Sequence, residues 1–177
     1  MSFDTNFQLH DADIRAFVDR YSKDQAVIKA ALRSTAAKMA RWVKGKAQRQ
    51  LPAELRMKPS IVRRRLRTIA ARSTSTGAEA AVFVGLNPVA YRWLSPKKTA
   101  TGVSTKAGTA KGAFFGKTPK GTAQVFRRKG KQRLPVSVVK AEVAPVAESY
   151  LERQLFSDAE FESKFFEILE RELKWRT

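Results

Sequence analysis

The chain has 177 residues, 43% of them apolar, with 35 Lys/Arg against 16 Asp/Glu and no cysteine. That length suits one domain with a real core, and the apolar share is too high for a disordered chain. Without cysteine there can be no disulfide and no Cys-based zinc site. No run approaches the ~20 apolar residues of a membrane span, and Met1-Ser2-Phe3-Asp4 lacks the basic and apolar regions of a signal peptide. The expectation is a soluble protein made in a reducing cytoplasm.

The formal net charge is +19 and it is unevenly spread. Residues 1–72 hold 17 Lys/Arg against 6 Asp/Glu, and residues 73–143 hold 13 against 2. Residues 144–177 reverse the balance, with 5 against 8. Solubility needs far less charge than this, so the excess points to an anionic neighbour, either nucleic acid or an acidic protein surface.

In chain order, Ile14, Phe17, Val18 and Tyr21 fall on one stripe of a first helix over His10–Tyr21. Ser22-Lys23-Asp24-Gln25 reads as a capping box opening a second helix to about Gln50, stopped by Pro52. Ile28, Ala31, Leu32, Thr35, Met39, Trp42 and Val43 form its inner face. Pro59 suits the first turn of another helix, in which Ile61, Val62, Leu66, Ile69 and Ala70 face the core. Arg63, Arg64, Arg65 and Arg67 crowd that helix, either as a solvated face or as a patch for phosphate or a partner.

From Ser73–Gly77, a turn, the periodicity changes. Ala81–Leu86 reads as a core strand, and Val89–Leu94 as a second strand or extended segment after Asn87-Pro88. Ser95–Lys111 has no periodicity and reads as a long basic loop that orders against a partner, with Lys97, Lys98, Lys106 and Lys111 as its contacts. Ala113–Phe115, Thr122–Arg127 and Leu134–Val143 read as three further strands, with the basic turn Arg128–Arg133 between the last two. Pro145 ends the sheet. Val146–Phe156 and Asp158–Trp175 read as helices, the last with Phe161, Phe165, Ile168, Leu169 and Leu173 inward and Glu160, Glu162, Glu167 and Glu170 outward. The fold class expected is α+β in a single domain. Basic helices occupy 10–72, a mostly antiparallel sheet 78–143 and acidic helices 146–176.

The residues offer little to an enzyme. His10 is the only histidine and has no partner for a metal or a nucleophile. Gly112–Thr118 resembles a phosphate-binding loop but has three residues between its glycines instead of four, and leads into Pro119. Asp11 and Asp13 diverge on a helix, and Glu79 and Glu142 are far apart. No catalytic residue, metal or cofactor is expected. Phe114, Phe115 and Phe126 lie among basic residues, the composition of a base-stacking platform, though core packing explains phenylalanines on strands equally well.

Five segments in order carry a resemblance: Lys58–Arg67, Val82–Pro88, Gly112-Ala113-Phe114, Val125–Gly130 and Arg133–Lys140. Together, over roughly residues 25–155, the chain resembles the prophage minor tail protein Z family, the tail completion proteins of long-tailed phages. The resemblance implies a non-enzymatic virion component at the head-proximal end of the tail. It would be assembled in the host cytoplasm and work as a ring of copies, six-fold by expectation, beside terminator, tail tube or neck proteins. In such a ring Arg63, Arg64, Arg65, Arg67, Arg127, Arg128, Lys129, Lys131 and Arg133 would face DNA or an acidic partner. The acidic face Glu160, Glu162, Glu167 and Glu170 would dock on the arginines of the next copy. Two other readings stand beside this one: a different head–tail joining or terminator ring protein, and a free basic nucleic-acid-binding protein.

Overall fold

The computed structural model describes residues 11–21, 24–74, 77–155 and 158–177, and it is an α+β fold with helices at both ends. Helix α1 spans Asp11–Val18 and α2 spans Gln25–Glu54. His10 and Ser22 lie outside the described residues. The cap of α2 is Asp24, whose carboxylate accepts the Ala26 N–H at 2.7 Å.

Pro52 does not stop α2; it is buried inside the last turn. Arg56 stops it, with a left-handed φ of +52°. The Arg56 N–H then reaches the Ala53 carbonyl at 3.1 Å and the Met57 N–H reaches Pro52 at 2.9 Å. This is the paired pattern that commonly closes a helix on a glycine, here carried by arginine.

The helix expected from Pro59 survives for one turn only, as α3 over Pro59–Arg63. Leu66–Ser73 is instead strand β1, antiparallel to β2 over Ala78–Val84, with Leu66 opposite Val84 and Arg67 opposite Phe83. The physical reason is pairing: four arginines in five residues repel on a helix, while β2 offers an antiparallel ladder along Leu66–Ser73. Ile69 therefore leaves the core and is 54% exposed, and Ala70 is exposed too.

Val89–Leu94 divides. Val89–Ala90 is β3, and Tyr91–Trp93 is a turn of 3-10 helix. The loop expected over 95–111 is a three-stranded antiparallel meander: β4 at Lys97–Thr99, β5 at Gly102–Thr105 and β6 at Gly108–Lys111. It is pinned by Val103, fully buried, and Ala110 opposite it. Its strands are three or four residues long and their outer face is polar. That is why no apolar alternation marks them.

A second three-stranded sheet joins β7 (Ala113–Lys117), β8 (Ala123–Arg128) and β9 (Val136–Val138). The expected last strand is broken at Val139, whose N–H goes to the Val125 carbonyl while its carbonyl accepts from Tyr91. Beyond it, β10 (Lys140–Ala141) pairs with β3. Helix α4 follows at Ala144–Tyr150 with Pro145 in its first turn, continues as π-helix over Leu151–Leu155, and α5 spans Asp158–Arg176.

Two cores share α2, a rod about 45 Å long at 1.5 Å per residue. Its C-terminal half, with Val43, Ala47 and Leu51, closes the main core against the sheets and α4. Its N-terminal half, with Ala31, packs with Val18 of α1 and Leu169 and Leu173 of α5. Leu51, Leu169 and Leu173 are fully buried, each contributing about 1.5–3 kcal/mol.

Candidate functional site

The four arginines of the 63–67 segment do not form one patch. Arg63 and Arg64 are exposed around the end of α3. Arg65 turns inward and donates to the carbonyls of Gly85 at 3.0 Å and Asn87 at 2.6 Å. Those two bonds make Arg65 a clamp on the chain just beyond β2, and burial lowers its pKa. Arg67 lies on the outer face of the hairpin beside its strand partner Phe83, which is 39% exposed.

Lys97, Lys98, Lys106 and Lys111 are all exposed on the meander. Its strand pairing puts Lys97 and Lys111 on the same face. Arg56 fastens the meander tip to the end of α2 by donating to the Lys106 carbonyl at 3.2 Å.

The sheet of β7, β8 and β9 gathers aromatic and basic groups on one face. Register pairs Phe114 with Phe126, Phe126 with Val138 and Arg128 with Val136, so these side chains project together. The Phe114 and Phe126 rings are 6.2 Å apart at 35°, and the Arg128 guanidinium lies 5.7 Å from the Phe114 centroid. Gly116 makes room for this: a Cβ there would stand 3.0 Å from the Phe126 ring. Phe114 and Phe115 are 37% and 47% exposed, so neither is a core residue; Phe115 projects from the opposite face. Arg127 also projects from that face, while Lys129, Lys131 and Arg133 ring the exposed turn between β8 and β9.

The acidic helix is largely spoken for within the chain. Glu160 pairs with Lys46 and Glu172 pairs with Lys38, both lysines on α2. Glu167 accepts from Lys164 at 2.6 Å and Arg171 at 2.9 Å. Glu170 pairs with Lys174 at 2.8 Å and accepts the Tyr21 hydroxyl at 2.8 Å. Those partners hold the carboxyls of Glu167 and Glu170 below the usual range. Glu162 is exposed. The basic neighbour of this helix is thus α2 of the same chain. Glu172, missed in the sequence, was signalled there: it stands four residues after Ile168, inside the apolar stripe.

Charge is therefore segregated. Every ion pair among the described residues joins α2 and α5, lies within α5, or links Arg72 to Glu79 at the hairpin tip. Between Glu79 and Glu142 stand thirteen Lys/Arg and no carboxylate. None of the thirteen forms an ion pair among the described residues. The glycine-flanked Gly112–Thr118 segment is strand β7 and its turn, without the strand-to-helix geometry that cradles phosphate. Among the described residues no group of three His, Asp or Glu side chains is placed to hold a metal ion. No helix of the described residues is long and apolar enough to cross a membrane.

No protein-family model matches the chain, and neither does any curated protein or any solved structure.

Proposed function

We propose that the chain is a non-enzymatic structural protein of a long-tailed phage virion, a tail completion or neck component at the head-proximal end of the tail. It works as repeated copies in a ring, supporting head–tail joining and the passage of DNA. The observation that carries a binding role is the run of thirteen cations between Glu79 and Glu142 with no carboxylate among them. A ring multiplies that field around one axis, where it meets phosphates without reading sequence. The placement in a tail rests on the ordered segments from Lys58–Arg67 to Arg133–Lys140. Glu160, Glu167 and Glu170 already have cationic partners on α2 or within α5, so we place the ring contact on the basic surfaces and not on the acidic helix.

The test is genetic and structural together. A phage with a stop codon early in this coding sequence should accumulate filled heads and separate tails, and adding the purified protein should restore joining. Antibody to the chain should label the head-proximal tip of mature tails. Normal virions from the mutant, or label absent from the tail tip, would sink the reading.

A further inference from the structure

We propose that the outer face of the β7–β8–β9 sheet binds single-stranded nucleic acid, by stacking bases on Phe114 and Phe126 and holding phosphates with Arg128 and the turn that follows it. The inference goes beyond the tail reading and stands or falls without it.

Three observations converge on that face. First, two phenylalanines occupy opposed positions on neighbouring strands and share one face, Phe114 37% exposed and Phe126 half-buried beside it. What sets these rings apart from the other exposed aromatics is that they adjoin each other on one sheet face, rimmed by cations. Second, the rings are arranged as a surface. Gly116, lacking a Cβ, lets the Phe126 ring lie across strand β7, and the Phe114 ring sits beside it at 6.2 Å. Third, Arg128 lies over Phe114, and Lys129, Lys131 and Arg133 stand in the adjoining turn. No carboxylate is near in sequence to compete for them.

The occupant follows from this pairing of ring and charge. An acidic protein segment would be met by the cations alone and has no flat partner for the rings. In a duplex the faces of the bases are stacked on one another and closed to a ring, leaving phosphates, sugars and groove edges. A single strand offers both halves at once, with a π-face on each base and a phosphate on each nucleotide. Stacking is tolerant of base identity, so no sequence preference is expected.

Fluorescence anisotropy of the purified chain with labelled dT20, and with a duplex of the same length, tests the proposal. Wild type should bind dT20 more tightly than the duplex at equal salt. Phe114→Ala should weaken dT20 binding by about 5- to 150-fold, the worth of one stacked base. Its duplex binding and salt slope should be unchanged, and Phe114→Trp should restore the loss. Arg128→Ala should weaken dT20 binding and reduce the salt slope by about 0.7, one phosphate contact on a single strand. Lys97→Ala, an equal loss of charge on the meander, should leave the preference for single strand intact. Equal binding of duplex and dT20, or Phe114→Ala binding dT20 as wild type does, would show charge acting alone and overturn the proposal. Competition by polyglutamate as effective as by unlabelled dT20 would overturn it in favour of an acidic protein partner. Phe114 is only partly exposed, so a melting curve of its Ala variant that matches wild type is the check that the loss is local. If the curves differ, the Phe114→Trp and Arg128→Ala comparisons decide the matter unaided.

Discussion

The Lys38 ammonium on α2 and the Glu172 carboxylate on α5, 134 residues apart, meet at the seam where the C-terminal helix docks. Glu172 is also bound by Arg176, which in turn donates to the Ser34 hydroxyl at 2.8 Å. Glu172 is only 6% exposed, so its partners are what make its charge tolerable there. Burial opposes its ionisation, but the hydrogen bonds and charges of Lys38 and Arg176 outweigh that and hold its carboxyl below the usual range.

Glu172→Gln should therefore loosen α5 first, lowering stability by about 1–3 kcal/mol in urea unfolding followed by the fluorescence of Trp42 in a Trp93→Phe, Trp175→Phe background. Trp42 reports on this seam because its ring meets Phe161 of α5 at 6.3 Å. The same carboxylate predicts an acid limb. Its folded pKa is below its unfolded one, so its stabilisation is present above the ordinary carboxylate pKa of ~4.3 and is lost as pH falls through that value toward the folded pKa. Melting temperature should drop across that window in wild type and drop less in Glu172→Gln. Equal acid slopes for the two proteins would place the effect elsewhere.

Tyr150 predicts an alkaline limb. It is buried at the end of α4 and donates its hydroxyl proton to Gln50. Burial first, then the negative charges of Glu54 and Glu160, push its pKa up to about 12. A raised folded pKa means the contribution is intact below the unfolded value of ~10 and fades as pH rises toward the folded one. Stability measured from pH 9 to pH 12 should fall in wild type, and Tyr150→Phe should lose that part of the slope while starting lower by about 1 kcal/mol for the missing hydrogen bond.

Gly102 is the tightest point of the meander. A Cβ there would stand 2.2 Å from the Ala110 carbonyl oxygen, a backbone atom that cannot swing aside. Gly102→Ala should cost roughly 1–3 kcal/mol and release the 97–111 strands ahead of the rest. Hydrogen exchange of the Val103 and Ala110 amides, set against those of α2, would separate local from global loss.

Arg56 offers the opposite case. Its left-handed φ of +52° at the end of α2 suits glycine better than arginine, and its bond to the Lys106 carbonyl is exposed. Arg56→Gly should raise stability by about 1 kcal/mol in denaturant unfolding. A loss instead would mean that the tie between α2 and the meander outweighs the backbone relief.

Much was legible in the residues because it is local. The 3.6-residue stripe through Ala31, Thr35, Met39 and Val43 marked α2, and Leu169 and Leu173 marked the inner face of α5. The same is true of the charge: thirteen cations without a carboxylate is a property of the chain before it folds. What the residues could not decide is partnership across distance. Leu66–Ser73 is helical or extended by its own propensity, and becomes a strand because β2 supplies its hydrogen bonds. The 97–111 strands are too short and polar to announce themselves, and exist because three of them bury Val103 and Ala110 together. The place of Glu172 in the apolar stripe of α5 shows that it needs a partner, and only the docking of α5 on α2 shows that the partner is Lys38. For Phe114 and Phe126 the sequence leaves core packing and a stacking platform both open, and only the register of β7 against β8 puts them on one face beside Arg128, since the face a strand residue takes is set by what its sheet packs against.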